Sequence, residues 1–253
     1  MKNEFVDIDI SIIGGTGLYE LEGLVELDRV KLDTPWGEPS SELIVAELAG
    51  KKVIFLARHG LKHTIPPHMV NYRANLWALK ECGVKNIIAV AAVGGITDEM
   101  APETIVIPDQ IIDYTYARKQ TFFEEDLQSV THIDFTQPYS AHIRQQLADA
   151  ARRLGLEPVM QGVYAATQGP RLESAAEIER LKRDGASIVG MTGMPEAALA
   201  RELEIDYACC ALVVNWAAGC AGTTRIEHNE MQEIVDKGML GIKSILKECL
   251  KVS

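Results

Sequence analysis

The sequence has little positive charge and no long apolar run. Lysine and arginine number 25 against 36 acidic residues, which gives a formal net charge of −11. Nucleic acids and anionic membrane surfaces are bound by clustered Lys and Arg, so this balance argues against both as the main partner. No apolar stretch approaches the roughly 20 residues that a helix needs to span a bilayer. A small anion stays compatible with the sequence, because a few local groups suffice to hold it.

Cysteine is scarce and is not spaced for metal or redox chemistry. Five cysteines are present, and no two of them form a C-x-x-C pair. Cys209 and Cys210 lie inside an apolar run, where we expect them to act as small buried hydrophobic side chains. The amino terminus is polar and acidic and lacks the basic-then-apolar order of a signal peptide. We therefore expect a reduced, cytoplasmic protein.

What the sequence does contain is an alternation of short apolar runs with longer helical patterns. Runs rich in Val, Ile and Ala predict strands at 8–13, 52–57, 86–93, 103–107, 162–166, 187–190 and 207–214. Apolar residues at three- and four-residue spacing predict helices at 71–82, 139–154, 175–183, 196–202 and 229–251. With 47% apolar residues, we expect residues 1–253 to form a single α/β domain with a central mixed β-sheet flanked by helices.

Ligands of such sheets collect at the carboxyl ends of strands. The first strand ends in a Gly-Gly-Thr-Gly turn at residues 14–17, whose backbone N–H groups and Thr16 hydroxyl suit an anion. The turn is weak evidence alone, because a dinucleotide fingerprint needs a third glycine where Glu20 stands and a Walker loop needs Gly-Lys-Ser/Thr. A tight turn without a ligand is an equally good interpretation.

The second strand ends in Arg58 and His59. A guanidinium can hold phosphate through two parallel N–H bonds and the imidazole can add a donor, while a solvated surface ion pair is the alternative for Arg58. His63 and His68 follow and raise the alternative of a metal cluster. Gly60 and two prolines preclude the helix that would align the histidines, and no carboxylate or cysteine lies between them, so we expect no metal.

Three later strands also end in polar groups. Glu173 opens the helix that follows a glycine turn, Thr192 follows the strand at 187–190, and Asn215 ends the last strand. Together these groups donate and accept hydrogen bonds and suit a small polar ligand with a planar face. On the third strand, the small residues Ala91 and Ala92 either expose backbone N–H groups to the anion or reflect close packing.

Taken together, these segments resemble the family of trimeric purine nucleoside phosphorylases and methylthioadenosine phosphorylases, and most closely its S-methyl-5′-thioinosine phosphorylase branch. The segments that carry the resemblance are residues 14–18, 58–60, 63–75, 93–95, 167–171, 190–192, 194–196 and Asn215. They extend over nearly the whole chain and are specific jointly rather than singly.

The resemblance implies a pentosyltransferase that cleaves a purine nucleoside with inorganic phosphate and needs no cofactor. It implies catalytic roles for Asn215 and Glu173, and a place beneath the ribose for Met191. The implied phosphate-binding residues are Thr16, Arg58, His59, Ala91, Ala92 and Thr192. Further substrate contacts are implied for Leu172, Trp216, Ala217, His63, His132 and His228. His132 is expected to reach a neighbouring subunit's site, which implies a homotrimer.

Chemistry at the base favours a 6-oxopurine. The adenine-selective relatives carry aspartates at the positions of Asn215 and Ala217, and that pair is absent here. Asn215 can donate and accept, which suits a 6-oxo group and N7, whereas Glu173 can accept from N1–H but would meet the bare lone pair of adenine N1. A wrong match leaves a buried charge unpaired, at a cost on the order of 1–3 kcal/mol. Leu172 replaces an aromatic residue of the relatives, so apolar contact is expected in place of stacking.

The 5′ substituent has two interpretations. His63 and His132 match positions that line the 5′ pocket of methylthio-nucleoside phosphorylases. This match favours S-methyl-5′-thioinosine as the substrate. The products would then be hypoxanthine and 5-methylthioribose 1-phosphate, in purine salvage. His228 matches a histidine that bonds the 5′-hydroxyl in relatives using ordinary nucleosides, which favours inosine or guanosine. An exposed histidine at a helix start is a third interpretation of His228. We expect methylthioinosine.

Two other functional classes fit less well. A Rossmann-type dehydrogenase would need a third glycine in the first turn and a ribose-binding acid after the second strand. A non-catalytic purine sensor would keep Glu173 and Asn215 but would have no need for the anion-binding set of Arg58, His59 and Thr192.

Overall fold

The computed structural model describes residues 8–15, 23–125 and 127–251. In these residues the strands are β1 (Ile10–Gly14), β2 (Val25–Val30), β3 (Leu43–Leu48), β4 (Lys51–Ala57), β5 (Asn86–Gly95), β6 (Ile105–Val106), β7 (Gln110–Asp113), β8 (Val163–Ala166), β9 (Ile188–Gly190) and β10 (Asp206–Trp216). The helices are α1 (Tyr72–Glu81), α2 (Ala141–Arg153), α3 (Ala175–Arg183), α4 (Gly193–Glu202) and α5 (His228–Leu250).

The strands form one mixed sheet, which confirms the expected α/β architecture. Its order is β2-β3-β4-β1-β5-β9-β8-β7, and β10 pairs with both β5 and β6. One parallel set consists of β4, β1, β5 and β10, in which β1 pairs with β4 and β5, and β5 pairs with β10. A second parallel set consists of β7, β8 and β9, in which β8 pairs with both others. The two sets meet where β5 pairs antiparallel with β9. The carboxyl ends of both sets lie close to this junction.

The long strand β10 shows why the sheet is buried on both faces. Successive side chains of a strand point to opposite faces, and here Tyr207, Cys209, Ala211 and Val213 belong to the core that contains residues of α1 and α4. Their neighbours in sequence pack with residues of α2 and α5. Cys209 and Cys210 are buried, as expected from their place in an apolar run. Helices on both faces explain the nearly continuous apolar sequence of this strand.

The predicted strands are present, but three others were missed. β2 is a polar, largely exposed strand that pairs only with β3 in the described residues, so burial leaves no apolar pattern in its sequence. β3 and the short β7 were also absent from the prediction, and the run at 103–107 contributes only the two residues of β6. Within the part of the chain that the structure describes, no helix is long and apolar enough to cross a membrane.

Candidate active site

A cavity of about 630 Å³ opens where the sheet divides. β5 pairs with β1 only as far as Ala89 and pairs with β9 from Gly94 onward. The intervening residues, 90–93, line the cavity with the carboxyl ends of β1, β4, β9 and β10. The divided sheet therefore brings the ends of five strands around one space, as expected for an α/β ligand site.

Most of the residues predicted from the sequence line this cavity. They are Arg58, His59, His63, Ala91, Ala92, Leu172, Glu173, Met191, Thr192 and Asn215. The anion-binding candidates and the base-binding candidates thus share one cavity, although they come from segments that lie far apart in the sequence.

The remaining predicted residues lie elsewhere or outside the described structure. Trp216 lines a smaller neighbouring cavity of about 130 Å³, and Ala217 is buried in the core cluster that contains Val189 rather than in the cavity wall. His132 is exposed on the loop before α2. Thr16 falls outside the described residues. His228 begins α5, and nothing is described of its side chain.

Arg58 is held by a buried carboxylate. Its Nε and one Nη donate to the two carboxylate oxygens of Glu196 at 2.6 and 2.7 Å, and its other Nη donates to the Val90 carbonyl at 3.0 Å. Arg58 is 2% exposed and Glu196 is fully buried, so the alternative of a solvated surface pair is wrong. Burial by itself lowers the pKa of Arg58, but the Glu196 charge and hydrogen bonds outweigh it and the pKa is raised.

This pairing limits what Arg58 offers to an anion. Three of the five guanidinium N–H groups are committed to protein acceptors, which leaves at most two for a ligand. Glu196 also accepts from the Tyr207 hydroxyl at 2.8 Å and balances the arginine charge. At the cavity wall Arg58 can therefore offer oriented donors but no uncompensated positive charge.

His59 has its ring orientation fixed by Ile65. The His59 Nδ1 lies 2.8 Å from the Ile65 carbonyl oxygen, and the Ile65 N–H donates to the His59 carbonyl at 3.0 Å. Burial, followed by the charge of Arg58, lowers the pKa of His59 to about 4. The neighbouring His63 ring lies 4.7 Å away between centroids, and burial lowers its pKa as well. Among the described residues, no three His, Cys, Asp or Glu are grouped so as to hold a metal ion.

Asn215 is aimed by a β-bulge. The pairing of β10 with β5 shifts register between Val213 and Asn215, so that an extra residue is accommodated just before Asn215, which pairs with Gly94. A Cβ on Gly94 would lie 3.2 Å from Val189 and 3.5 Å from the Asn215 amide nitrogen, so glycine permits this close approach. The Asn215 amide donates to the Trp216 carbonyl at 2.7 Å, which fixes the side chain.

Glu173 is oriented by a hydroxyl from the neighbouring segment. The Thr167 Oγ1 donates to Glu173 Oε1 at 2.6 Å. The Thr167 backbone N–H in turn donates to the Gly190 carbonyl at 2.8 Å, which ties this segment to the end of β9. The carboxylate is half-buried at the cavity wall, where it can accept a hydrogen bond from a planar ligand.

Arg118 is a structural centre of the site that sequence reasoning missed. Its guanidinium donates to the carbonyls of Thr167, Gln168, Met191 and Met194, to the Gln168 side chain and to the Tyr72 hydroxyl, at 2.6 to 3.2 Å. Thr167 and Gln168 belong to the chain segment that leads to Glu173, whereas Met191 and Met194 belong to the segment that contains Thr192. Arg118 thus holds these two segments together by hydrogen bonds. No local pattern signals this role, because its acceptors are mostly backbone carbonyls.

The last helix supplies an apolar wall that was also missed. Met231, Val235 and Met239 line the cavity from α5, together with Gln232 and the preceding Ile226. Spacing of four residues places the first three on one face of the helix, and this periodicity is the signal that could have identified them. The cavity therefore has a polar wall of strand ends and an apolar wall of helix side chains.

Comparisons with known proteins agree with this geometry. The family model described as the phosphorylase superfamily matches residues 9–251. A probable S-methyl-5′-thioinosine phosphorylase of Pseudomonas syringae pv. tomato is 53% identical over 243 residues, which cover 96% of this chain and 98% of that one. A 6-oxopurine nucleoside phosphorylase of Pyrococcus furiosus is 46% identical over 233 residues, or 90% of this chain and 86% of that one. The crystal structure of a methylthioadenosine phosphorylase from an antarctic soil metagenomic library has a TM-score of 0.91 and 35% identity, covering 97% of this chain and 86% of that chain.

Proposed function

Because the chain belongs to the phosphorylase superfamily, we propose that it cleaves a 6-oxopurine nucleoside with inorganic phosphate as co-substrate. The preferred nucleoside in this proposal is S-methyl-5′-thioinosine, which gives hypoxanthine and 5-methylthioribose 1-phosphate for purine salvage. The observation that carries the proposal is a single cavity lined by Arg58, His59 and Thr192 and also by Glu173 and Asn215. Relatives at 53% and 49% identity bear the name of this activity.

The reaction follows from two subsites placed side by side. A phosphate oxygen forms a bond to C1′ of the sugar while the C1′–N9 bond breaks, and the leaving purine keeps the electron pair. Positive charge builds on the sugar, where the phosphate anion stabilises it, and negative charge builds on the purine, where the Asn215 amide can donate. Met191 lines the same cavity and would pack beneath the ribose. No metal or organic cofactor is required.

Base selection rests on Glu173 and Asn215. The Glu173 carboxylate, oriented by Thr167, accepts from the N1–H that hypoxanthine carries and adenine lacks. Asn215, fixed at the bulge, retains one amide hydrogen that can donate to the 6-oxo group, and its carbonyl oxygen can accept from N7–H once the leaving purine takes up a proton there. An adenine base would leave the carboxylate facing a lone pair, which disfavours methylthioadenosine.

The 5′ preference is supported by the apolar face of α5. Met231, Val235 and Met239 offer thioether and hydrocarbon surface to the cavity, which suits a methylthio group better than a hydroxyl that would lose its hydrogen bonds to water. His63 lies at the same cavity. Inosine and guanosine are the alternative substrates, and a direct comparison separates them from methylthioinosine.

The proposal includes a homotrimer in the cytoplasm. His132 is exposed on its own subunit, and in a trimer it would reach the 5′ pocket of a neighbour. Mixing His132→Ala subunits with Glu173→Ala subunits tests this, because some mixed sites would combine an intact Glu173 with an intact neighbouring His132. Recovery of activity on mixing is expected. Full activity in a species that sediments as a monomer would contradict a shared site.

The decisive experiment compares four nucleosides in a phosphate-dependent assay. We expect kcat/KM to be highest for S-methyl-5′-thioinosine, lower for inosine and guanosine, and lowest for methylthioadenosine. Product formation should require phosphate and yield the free base and the sugar 1-phosphate. Faster cleavage of methylthioadenosine than of methylthioinosine would contradict the proposed base selection, and cleavage that is independent of phosphate would contradict phosphorolysis.

A further inference from the structure

We propose that His59 recognises the proton of the oxyanion, so that the anion subsite selects hydrogen phosphate and other protonated tetrahedral oxyanions over unprotonated ones. In this role the imidazole accepts a hydrogen bond, instead of donating one as the sequence suggested. The inference deepens the proposed function, since it concerns the phosphate subsite of that same cavity.

The first step is the tautomer of the His59 ring. A nitrogen 2.8 Å from a carbonyl oxygen must carry the hydrogen of that contact, because the carbonyl can only accept. The proton of a neutral ring therefore resides on Nδ1, and Nε2 presents a lone pair. The reciprocal bond from the Ile65 N–H to the His59 carbonyl closes a small ring of contacts and prevents the imidazole from turning over.

The second step is the direction in which the lone pair points. The edge of the ring that bears Nε2 also bears Cδ2, and Cδ2 would lie 3.7 Å from a Cβ placed on Gly15. Gly15 and His59 both line the cavity. The ring edge of His59 that bears Cδ2 and Nε2 thus lies toward Gly15 at the end of β1.

The third step is that the ring stays neutral at physiological pH. Burial and the adjacent Arg58 hold the pKa of His59 near 4, and a second positive charge on His63 would oppose protonation further. The Glu196 carboxylate accepts hydrogen bonds from Arg58 and from the Tyr207 hydroxyl. In the protein without phosphate the ring is therefore neutral, and its Nε2 is an acceptor for the hydroxyl of an arriving anion.

Oxyanions differ in the group they can offer to that acceptor. Phosphate and arsenate carry at least one hydroxyl at neutral pH and can donate to Nε2. Sulfate has a similar shape and charge but no proton, so its oxygen lone pairs would face the nitrogen lone pair. A buried polar group that meets a mismatched partner costs about 1–3 kcal/mol, which corresponds to roughly tenfold to a hundredfold in affinity.

The first test measures binding of phosphate and sulfate to the wild-type protein by calorimetry at neutral pH. We expect phosphate to bind at least about tenfold more tightly than sulfate. His59→Gln places an amide that can donate or accept near the position of Nε2, so the preference for phosphate should fall to about threefold or less. His142→Gln, which makes the same change at an exposed histidine on α2, is the matched control and should keep the wild-type ratio. Equal affinities of the wild-type protein for the two anions would overturn the inference.

The second test reads the tautomer directly in the wild-type protein and uses the variant only to assign the His59 signal. In ¹⁵N-labelled histidine spectra at pH 7, the signal that disappears in His59→Gln should show the pattern of a neutral ring protonated on Nδ1. A pattern of protonation on Nε2, or of an imidazolium, would overturn the inference even if sulfate binds poorly. Neither test uses catalysis, so a protein that shows both results yet cleaves no nucleoside would refute the proposed function and leave this inference standing.

Discussion

Arg58 and Glu196 form a two-point ion pair across 138 residues of sequence, and neither side chain is more than 2% exposed. Removing one partner of a buried pair leaves the other charge uncompensated, which costs about 3–5 kcal/mol. We therefore expect Glu196→Ala to lower the free energy of unfolding by about that amount, measured by urea denaturation. The variant should also raise the KM for phosphate, because the Arg58 donors lose their fixed orientation.

The matched control for this pair is Glu26→Ala. Glu26 accepts two hydrogen bonds from Arg29 with the same geometry, but both side chains are nearly half exposed. Exposed pairs contribute little to stability, so the control should unfold close to the wild-type midpoint. Equal losses in the two variants would mean that burial does not set the strength of the Arg58 pair.

Glu173→Gln tests base selection. Glutamine keeps the size of the side chain but can donate as well as accept, so it suits adenine N1 better than the carboxylate does. We expect kcat/KM for methylthioinosine to fall roughly tenfold to a hundredfold, while that for methylthioadenosine falls less or rises. Thr167→Val, which removes only the hydroxyl that orients Glu173, should give a smaller loss in the same direction. Equal losses on both nucleosides in Glu173→Gln would contradict the assigned role.

The positions of Glu173, Asn215 and Arg58 were predictable because each follows an apolar run that reads as a strand. Strand ends of one parallel set meet at one edge of the sheet, so the apolar runs alone assign Arg58 and Asn215 to one site. Glu173 follows β8 of the other set, and it reaches the same cavity because the two sets meet where β5 pairs antiparallel with β9. The partner of Arg58 was not predictable in this way. Glu196 sits inside α4, and only the packing of that helix against the sheet places its carboxylate beside the guanidinium.

The direction of the side chain two residues after Asn215 was not predictable from the sequence either. The sequence places Ala217 two residues after Asn215, which suggests that both face one ligand. The bulge and the turn that follow instead bury Ala217 beside Val189. An aspartate at position 217 would place a carboxylate in that apolar cluster, so a change of Asn215 and Ala217 to aspartates would cost stability as well as alter the base subsite.

Arg118→Lys tests whether fastening the two segments matters for activity. An ammonium group has three donors and cannot reach the six acceptors that Arg118 binds, so Met191 and the segment before Glu173 should shift. We expect kcat/KM for the nucleoside to fall at least about tenfold, with a smaller change in the KM for phosphate. Arg171→Lys, at an exposed arginine paired with Glu177, serves as the control. A loss of stability with unchanged kcat/KM would show that Arg118 serves the fold alone.

Val235→Thr tests the apolar wall of the 5′ subsite. Threonine has nearly the shape of valine but adds a hydroxyl, which disfavours contact with a thioether. We expect kcat/KM for methylthioinosine to fall roughly tenfold, the equivalent of about 1.4 kcal/mol, and that for inosine to be unchanged or improved. Val25→Thr on the exposed strand β2 is the control and should change neither. Equal losses on both nucleosides would mean that Val235 does not contact the 5′ group.

His59 should leave a signature in the pH dependence of stability. Its pKa is lowered from the ordinary value of 6.5 to about 4 in the folded protein, chiefly by burial and then by Arg58. Between these values the unfolded chain binds more protons than the folded one, so the contribution of His59 is complete above about pH 6.5 and is lost as the pH falls to about 4. The lowered pKa of His63 acts in the same direction and persists in a His59 variant.

The measurement is the free energy of unfolding of wild-type protein and His59→Gln at several values between pH 4 and pH 7. The wild-type stability should fall more steeply with acidification than that of the variant across this interval. His142→Gln changes an exposed histidine on α2 and should reproduce the wild-type slope. Parallel curves for wild type and His59→Gln would show that His59 takes up its proton equally well in both states, which is incompatible with an imidazole held neutral by burial between Ile65 and Arg58.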